Sequence, residues 1–380
     1  MSASEWSAAV VLTGAALFVA AEFIARASIR KRGRYFVWEP DSKLHQHLEP
    51  GVIPSQGERV RFDVNANGER GDPFPADGDG VYRVLVAGGS AAECYFLDQP
   101  QSWPEVLKRE LSTPERLLRL GARAVHVGNI GKSLVATEYI DAMLVRLLPR
   151  YRKLDCIVFM VGASNVVGWL MKKTPATMSD SAALPGDLFA VRADKRYGFT
   201  PSRLALRELL ARRLRRGKTI ERRGAGKKIV DIRAMRHRAP TVLSEIPDPT
   251  PMLAHFERAY RSLLRRAKAS GARVVVAPQP WMDKPVYSAE EKAVFWHGSQ
   301  GQPYTEDVKV YYSDEVVGRL MHEVESRMVR IAAEEGCDCA PVRPMVEPSL
   351  ASFYDYFHLT PAGAEKVGRG LADVIARPRA

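Results

Sequence analysis

Short apolar runs alternate with longer amphipathic stretches over most of this chain, and the alternation predicts its main elements. Residues 82–87 (YRVLVA), 122–127, 156–161 (CIVFMV), 272–278 (ARVVVAP) and 339–342 are apolar runs of strand length, as expected for strands buried on both faces. Between and after them, residues 103–111, 135–148, 252–269, 314–335 and 362–376 read as helices. In the second of these Ile140, Met143, Leu144, Leu147 and Leu148 recur at spacings of three and four. Strand alternating with helix predicts an α/β fold, doubly wound around a mostly parallel five-stranded sheet.

Two regions fall outside that rhythm. Residues 8–25 are apolar except for small residues and Glu22, at the short end of what spans a bilayer. No basic stretch precedes them, so a membrane anchor fits better than a cleaved signal. Arg26, Arg30, Lys31, Arg32 and Arg34 follow at once, which by the positive-inside rule would hold the rest of the chain in the cytoplasm. Residues 35–80, rich in Pro, Gly, Asp and Asn, read as an ordered linker with one edge strand at Val60, Phe62 and Val64. The expected organisation is thus an anchor with its basic flank at 1–34, a linker at 35–80, and one α/β domain at 81–378.

That domain carries an insertion at about 171–250, and here the charge changes the picture. Of a net charge of +12, nearly all comes from residues 203–238, where 14 Lys or Arg face 3 acids. Such a block suits an anionic lipid surface or another polyanion, or simply a solvated surface segment. Without interleaved aromatics or an accompanying motif it does not suggest nucleic acid. The four cysteines (Cys94, Cys156, Cys337, Cys339) have no metal-binding spacing, and leave a disulfide open.

Candidate chemistry gathers where a doubly wound sheet keeps it, at the carboxyl ends of strands. Gly88–Gly89–Ser90 ends the first run, Asn129–Ile130–Gly131 follows the second, Gly162–Ala163–Ser164–Asn165 the third, and Asp355–Tyr356–Phe357–His358 precedes the last helix. Ser90, raised on two glycines, is a candidate nucleophile. A serine needs a base, His358 is the natural one, and Asp355 is spaced to orient it. The N–H groups of Ser90 and Gly131 and the Asn165 amide are candidate oxyanion donors. Gly89, Trp169 and Gln279 are candidate substrate-lining residues. Glu93, Cys94 and His126 read as packing residues.

At these residues the chain resembles the SGNH (GDSL-type) hydrolases, whose four blocks carry Ser, Gly, Asn and His in this order. The resemblance runs over about residues 82–376. It implies a flavodoxin-like three-layer sandwich, Ser90 as nucleophile, Gly131 and Asn165 as oxyanion partners, and Asp355 with His358 completing the triad. Gly89 departs from the Asp that many members have, and Gly128 is an alternative to Gly131. Upstream, Asn65, Asn67, Gly68, Arg70 and Gly71 form a pattern similar to one preceding the domain in membrane-anchored bacterial members. The implied activity is a serine esterase needing neither cofactor nor metal, acting on an acylated glycan, a lipid ester or a small ester. The alternatives are an O-acyltransferase of envelope polysaccharide and an inactive binding protein on the same fold. The resemblance also implies an extracytoplasmic domain, against the positive-inside rule.

Overall fold

A computed structural model describes residues 2–32, 35–53, 56–75, 77–172, 188–192, 204–215, 217, 219–246 and 248–377. The chain opens with helix α1 (Ala3–Arg32), then strands β1 (Lys43–Leu48) and β2 (Arg59–Asp63). Next come β3 (Val81–Gly88), α2 (Ser90–Glu93), α3 (Trp103–Leu111), α4 (Pro114–Leu120), β4 (Ala124–Asn129), α5 (Thr137–Leu147), β5 (Cys156–Met160) and α6 (Ala163–Met171). The basic segment supplies α7 (Ala205–Arg215), β6 (Thr219–Ala225) and α8 (Lys227–His237), followed by β7 (Thr241–Leu243). The rest is α9 (Thr250–Ala269), β8 (Arg273–Val276), α10 (Ala289–Val294), β9 (Val310–Tyr312), α11 (Asp314–Glu334), β10 (Asp338–Cys339) and α12 (Pro361–Ile375).

The central sheet has the order β4–β3–β5–β8–β10 and every pairing in it is parallel. Strand β5 is apolar throughout and buried on both faces, as are β3 beyond Arg83 and β8 beyond Arg273. The chain moves one way from β3 to β4 and the other way from there on, so right-handed crossovers place helices on both faces. One group is α3 with α12; the other is α5, α9 and α11. This is the doubly wound five-stranded fold expected, and the strand order reverses beside β3, where such sheets keep their crevice.

Three features depart from the expectations or sharpen them. Helix α1 is longer than the apolar run; over Ala3–Ser28 its mean hydropathy is 2.1, enough to cross a membrane by length and composition. The acid within the apolar run has a task, because Glu22 accepts the N–H groups of Ala205 (2.8 Å) and Leu206 (2.9 Å) at the start of α7, and pairs with Arg26. The upstream pattern is woven into the sheet. The N–H of Arg70 donates to Asn129 O (2.8 Å) and the carbonyl of Arg70 accepts from Asn129 N (2.9 Å), extending the β4 edge. Its buried guanidinium holds the carbonyls of Glu93, Cys94 and Leu97, each at 2.7 Å, so the linker fixes the loop that follows β3.

The third is the basic segment. Where it is described it is no solvated appendage: β6 pairs in parallel with β1, and Ile229 and Ile232 of α8 pack on Trp296. Nearly all of β6 is exposed and polar, so no apolar alternation announces it. Residues 173–187 and 193–203 of the expected insertion lie outside the described residues. All four cysteines are free thiols.

Arg233 of α8 rivets this segment down. It donates to the carbonyls of Val294 (3.0 Å), Gly51 (2.8 Å), Val52 (3.2 Å) and Tyr354 (2.8 Å), joining the segment to the loop that carries Asp355. A lysine cannot reproduce that planar fork. Arg233→Lys should therefore cost about 2–4 kcal/mol, through buried carbonyls left without donors. Urea unfolding of the detergent-solubilised chain measures this; a change under about 0.5 kcal/mol, the surface-substitution range, would refute the rivet.

Candidate functional site

Strand β3 delivers Ser90 through Gly88 and Gly89, and both glycines are sterically required. A Cβ on Gly88 would collide with the carbonyl oxygen of Met160, and one on Gly89 would lie 2.5 Å from Ser164 Oγ. Only bare backbone lets the ends of β3 and β5 approach this closely. Ser90 then opens the single turn of α2, half-buried, with no acceptor for its N–H among the described residues.

The opposing group comes from the turn before α12. Phe353 bridges Leu359 and the Tyr354 N–H donates to His358 O, closing a tight loop around Asp355. The Asp355 carboxylate, fully buried, accepts the N–H groups of Phe357 and His358 (2.8 Å each) and the indole N–H of Trp296 (2.8 Å). His358 Nδ1 lies 2.8 Å from Asp355 Oδ2, and its Nε2 lies 2.7 Å from Ser90 Oγ. Burial pushes the Asp355 carboxyl up, but His358 and these donors more than reverse it and hold it well below the usual carboxylate range. The rings of Tyr354 and Trp296 lie nearly parallel to the imidazole, with centroids 5.5 and 6.2 Å from it. Together these contacts fix which nitrogen faces which oxygen.

Of the expected donors, the Ser90 N–H has no acceptor among the described residues, whereas the other two are engaged within the protein. Asn165 is buried beneath the site: its Oδ1 accepts from Thr137 Oγ1 (2.7 Å) and N (3.2 Å), capping α5, and its Nδ2 donates to Glu138 (3.2 Å). One residue earlier on α6, about 100° around the helix, Ser164 lines the cavity beside Ser90. Gly131 is engaged too. Its N–H donates to Asn129 Oδ1 (2.7 Å), and it packs so closely under α2 that a Cβ would meet Glu93 N at 2.6 Å. Gly128 sits inside β4 against Glu69, away from the cavity. The loop offers Leu134 instead. This residue lines the cavity at φ 60°, and its N–H has no acceptor among the described residues. A left-handed non-glycine residue stores strain and marks a position worth notice. Nothing in the apolar pattern pointed to it.

The lining candidates divide in the same way. Trp169 faces the core, 2% exposed, because it lies about 200° round α6 from Val167, which does line the cavity. Gly89 sits between the two serines, where its close contact leaves no room for a side chain. Gln279 lines the cavity, buried. Glu93 lines it as well: burial pushes its carboxyl up, and it accepts from Ser133 N and Oγ. Cys94 is buried, its thiol pushed up to about 12 by burial. His126 is buried in β4 against Phe74. The stretch between β8 and β9 adds Trp296, His297 and Tyr304 to the walls. Its Trp and Tyr content hinted at this without singling out His297.

His297, Asp355 and His358 lie within 4.8 Å of one another, the spacing of a metal nest. However, Asp355 spends its acceptor sites on four protein donors, and His358 has a partner on each nitrogen. The His358 imidazole is thus already held between Ser90 and a buried carboxylate.

No protein-family model matches the sequence, and no curated protein matches it either. Among solved structures the chain is similar to a member of the lipolytic protein G-D-S-L family from Veillonella parvula (8% identity, TM-score 0.41, covering 78% of this chain and 100% of that one). It is similar also to a catalytic mutant of an acetylxylan esterase from Geobacillus stearothermophilus (12% identity, TM-score 0.42, covering 77% and 94%). A third is an alpha/beta hydrolase enzyme from the metagenome of Lake Arreo, Spain (12% identity, TM-score 0.41, covering 77% and 94%). Likenesses at these values fix neither reaction nor substrate.

Proposed function

We propose that this chain is a membrane-anchored serine esterase of SGNH type. The observation that carries the reading is the unbroken line from Ser90 Oγ through the His358 imidazole to the buried Asp355 carboxylate, 2.7 and 2.8 Å long at its two joints. His358 Nε2 takes the Ser90 proton as Oγ bonds to the ester carbonyl carbon. The carbonyl oxygen becomes an oxyanion facing the N–H groups of Ser90 and Leu134 and the Ser164 hydroxyl. His358 then protonates the departing alcohol, leaving an acyl-enzyme. Water, deprotonated by the same imidazole, cleaves it to the free acid and restores Ser90. Asp355 stays ionised throughout and stabilises the imidazolium.

Helix α1 is the anchor in this reading. Helix α7 is docked on its C-terminal part through Ala25, Ala205 and the Glu22 cap, which sets the basic segment beside the membrane boundary. The domain is assigned to the extracytoplasmic side, and the Arg- and Lys-rich flank of α1 argues the other way.

Ser90→Ala and His358→Ala should each abolish hydrolysis of a small soluble ester with little loss of stability. Asp355→Asn should lower kcat about 10⁴-fold by presenting the wrong tautomer. Ser164→Ala should cost about 10²-fold in kcat, as for an oxyanion donor. Steady-state kinetics on the purified chain decides; near-normal turnover in any of the first three refutes the assignment.

Acid should loosen this site with a definite sign. Burial holds the His297 imidazole down to about 3, below its ordinary value near 6.5, so the unfolded chain takes up that proton first. Stability attached to His297 is complete above about pH 6.5 and drains away as pH falls toward 3. Asp355, also depressed, contributes in the same direction below about pH 4. The melting temperature should therefore fall steadily from pH 7 to pH 4, and less steeply in His297→Phe. Equal slopes in the two proteins would contradict the buried, neutral state of His297.

A further inference from the structure

The cavity in front of Ser90 encloses about 590 Å³, and its walls say what kind of ester enters it. Three observations bear on the substrate, and all of them rest on the esterase reading above.

The first is aromatic. Trp38, Tyr95, Trp296 and Tyr304 line the cavity, offering flat apolar faces with polar rims. Such surfaces suit a ring that is itself apolar on its faces and polar at its edges.

The second is unmet hydrogen bonding. Gln279 Nε2 and His297 Nδ1 are buried without a partner among the described residues, and both residues line the cavity. Buried polar atoms are nearly always satisfied, and a lost partner costs roughly 1–3 kcal/mol. A hydrocarbon chain would leave both unsatisfied; the hydroxyls of a sugar would meet them.

The third is charge. Arg222 of β6 and Lys228 of α8 line the cavity, and neither is paired with a carboxylate among the described residues. Lys132 joins them from the loop after β4. The acid on this wall, Glu93, is committed to Ser133. Two of the cations belong to the basic segment, so that segment brings positive charge to the mouth of the site itself.

From these we infer that the ester is carried on a hydroxyl of an acidic sugar, a hexuronate-type unit. Its carboxylate meets Arg222 and Lys228, its hydroxyls meet Gln279 and His297, and its ring lies against the aromatic wall. Chain length is not what this cavity measures.

The test compares ester cleavage by the full chain in three probes: acetate release from an O-acetylated methyl hexuronoside and from its neutral methyl ester, and fatty-acid release from a phosphatidylglycerol vesicle as anionic lipid ester. Phenyl acetate reports whether the enzyme works at all. The acidic sugar should exceed its neutral ester about 10-fold or more in kcat/KM, as expected for a charged hydrogen-bonded contact. The preference should shrink with added salt. In Arg222→Gln/Lys228→Gln the acidic-to-neutral ratio should fall to about one. A wild-type ratio near one, a ratio that survives the double substitution, or faster cleavage of the vesicle lipid would overturn the inference while leaving the esterase intact. If phenyl acetate is not hydrolysed either, it is the esterase reading that fails, and the sugar assignment falls with it.

Discussion

The contact between Ser90 Oγ and His358 Nε2 joins two residues 268 positions apart, and most of the molecule serves to make it possible. The parallel sheet puts the end of β3 at the strand-order reversal, and two glycines let β5 crowd in beside it. Arg70, from a segment ahead of the domain, then ties down the loop behind Ser90 through three backbone carbonyls. On the other side Asp355 is fixed by backbone donors, a histidine and an indole, so the imidazole has one orientation. Removing water from around the carboxylate would ordinarily neutralise it. Here the four donors keep it ionised, so the pair can accept a proton from a serine.

The basic segment takes on a different meaning beside this contact. Its charge suggested a surface device, and part of it does lie against α1, capped by Glu22. Yet β6 completes a small sheet with β1, and α8 seals one wall of the cavity while Arg233 binds it to the turn carrying Asp355. Helix α1, the basic segment and the turn carrying Asp355 are thus linked by hydrogen bonds through one stretch of chain. Arg222 and Lys228 of that stretch line the same cavity as Ser90.

How much of this was legible in the sequence follows physical lines. Four of the five core strands and the helices between them were, because strands buried on both faces must be apolar and packed helices must repeat at three and four; β10, the partly buried pair Asp338–Cys339, shares one residue with the apolar run at 339–342. The meeting of Ser90, Asp355 and His358 was inferable from strand ends and spacing. The donors were harder. Asn165 and Ser164 are neighbours on a helix, and only the helix phase decides which one faces the cavity; sequence favoured the amide, and the amide went to cap α5. In the proposed mechanism Leu134 acts through its backbone, which no side-chain pattern records. Strand β6 stayed hidden because an exposed, arginine-rich strand has no apolar alternation. Gln279 could be placed at a strand end, but that its Nε2 is buried with no partner among the described residues emerges only when the walls close around it.

The most direct test of the central claim is to treat the full chain with a fluorophosphonate and map the adduct by peptide mass spectrometry. The account predicts a single modification on Ser90, lost in His358→Ala although the serine is still present. An adduct on Ser133 or Ser164, which share the cavity, or labelling of Ser90 that persists without the imidazole, would contradict it.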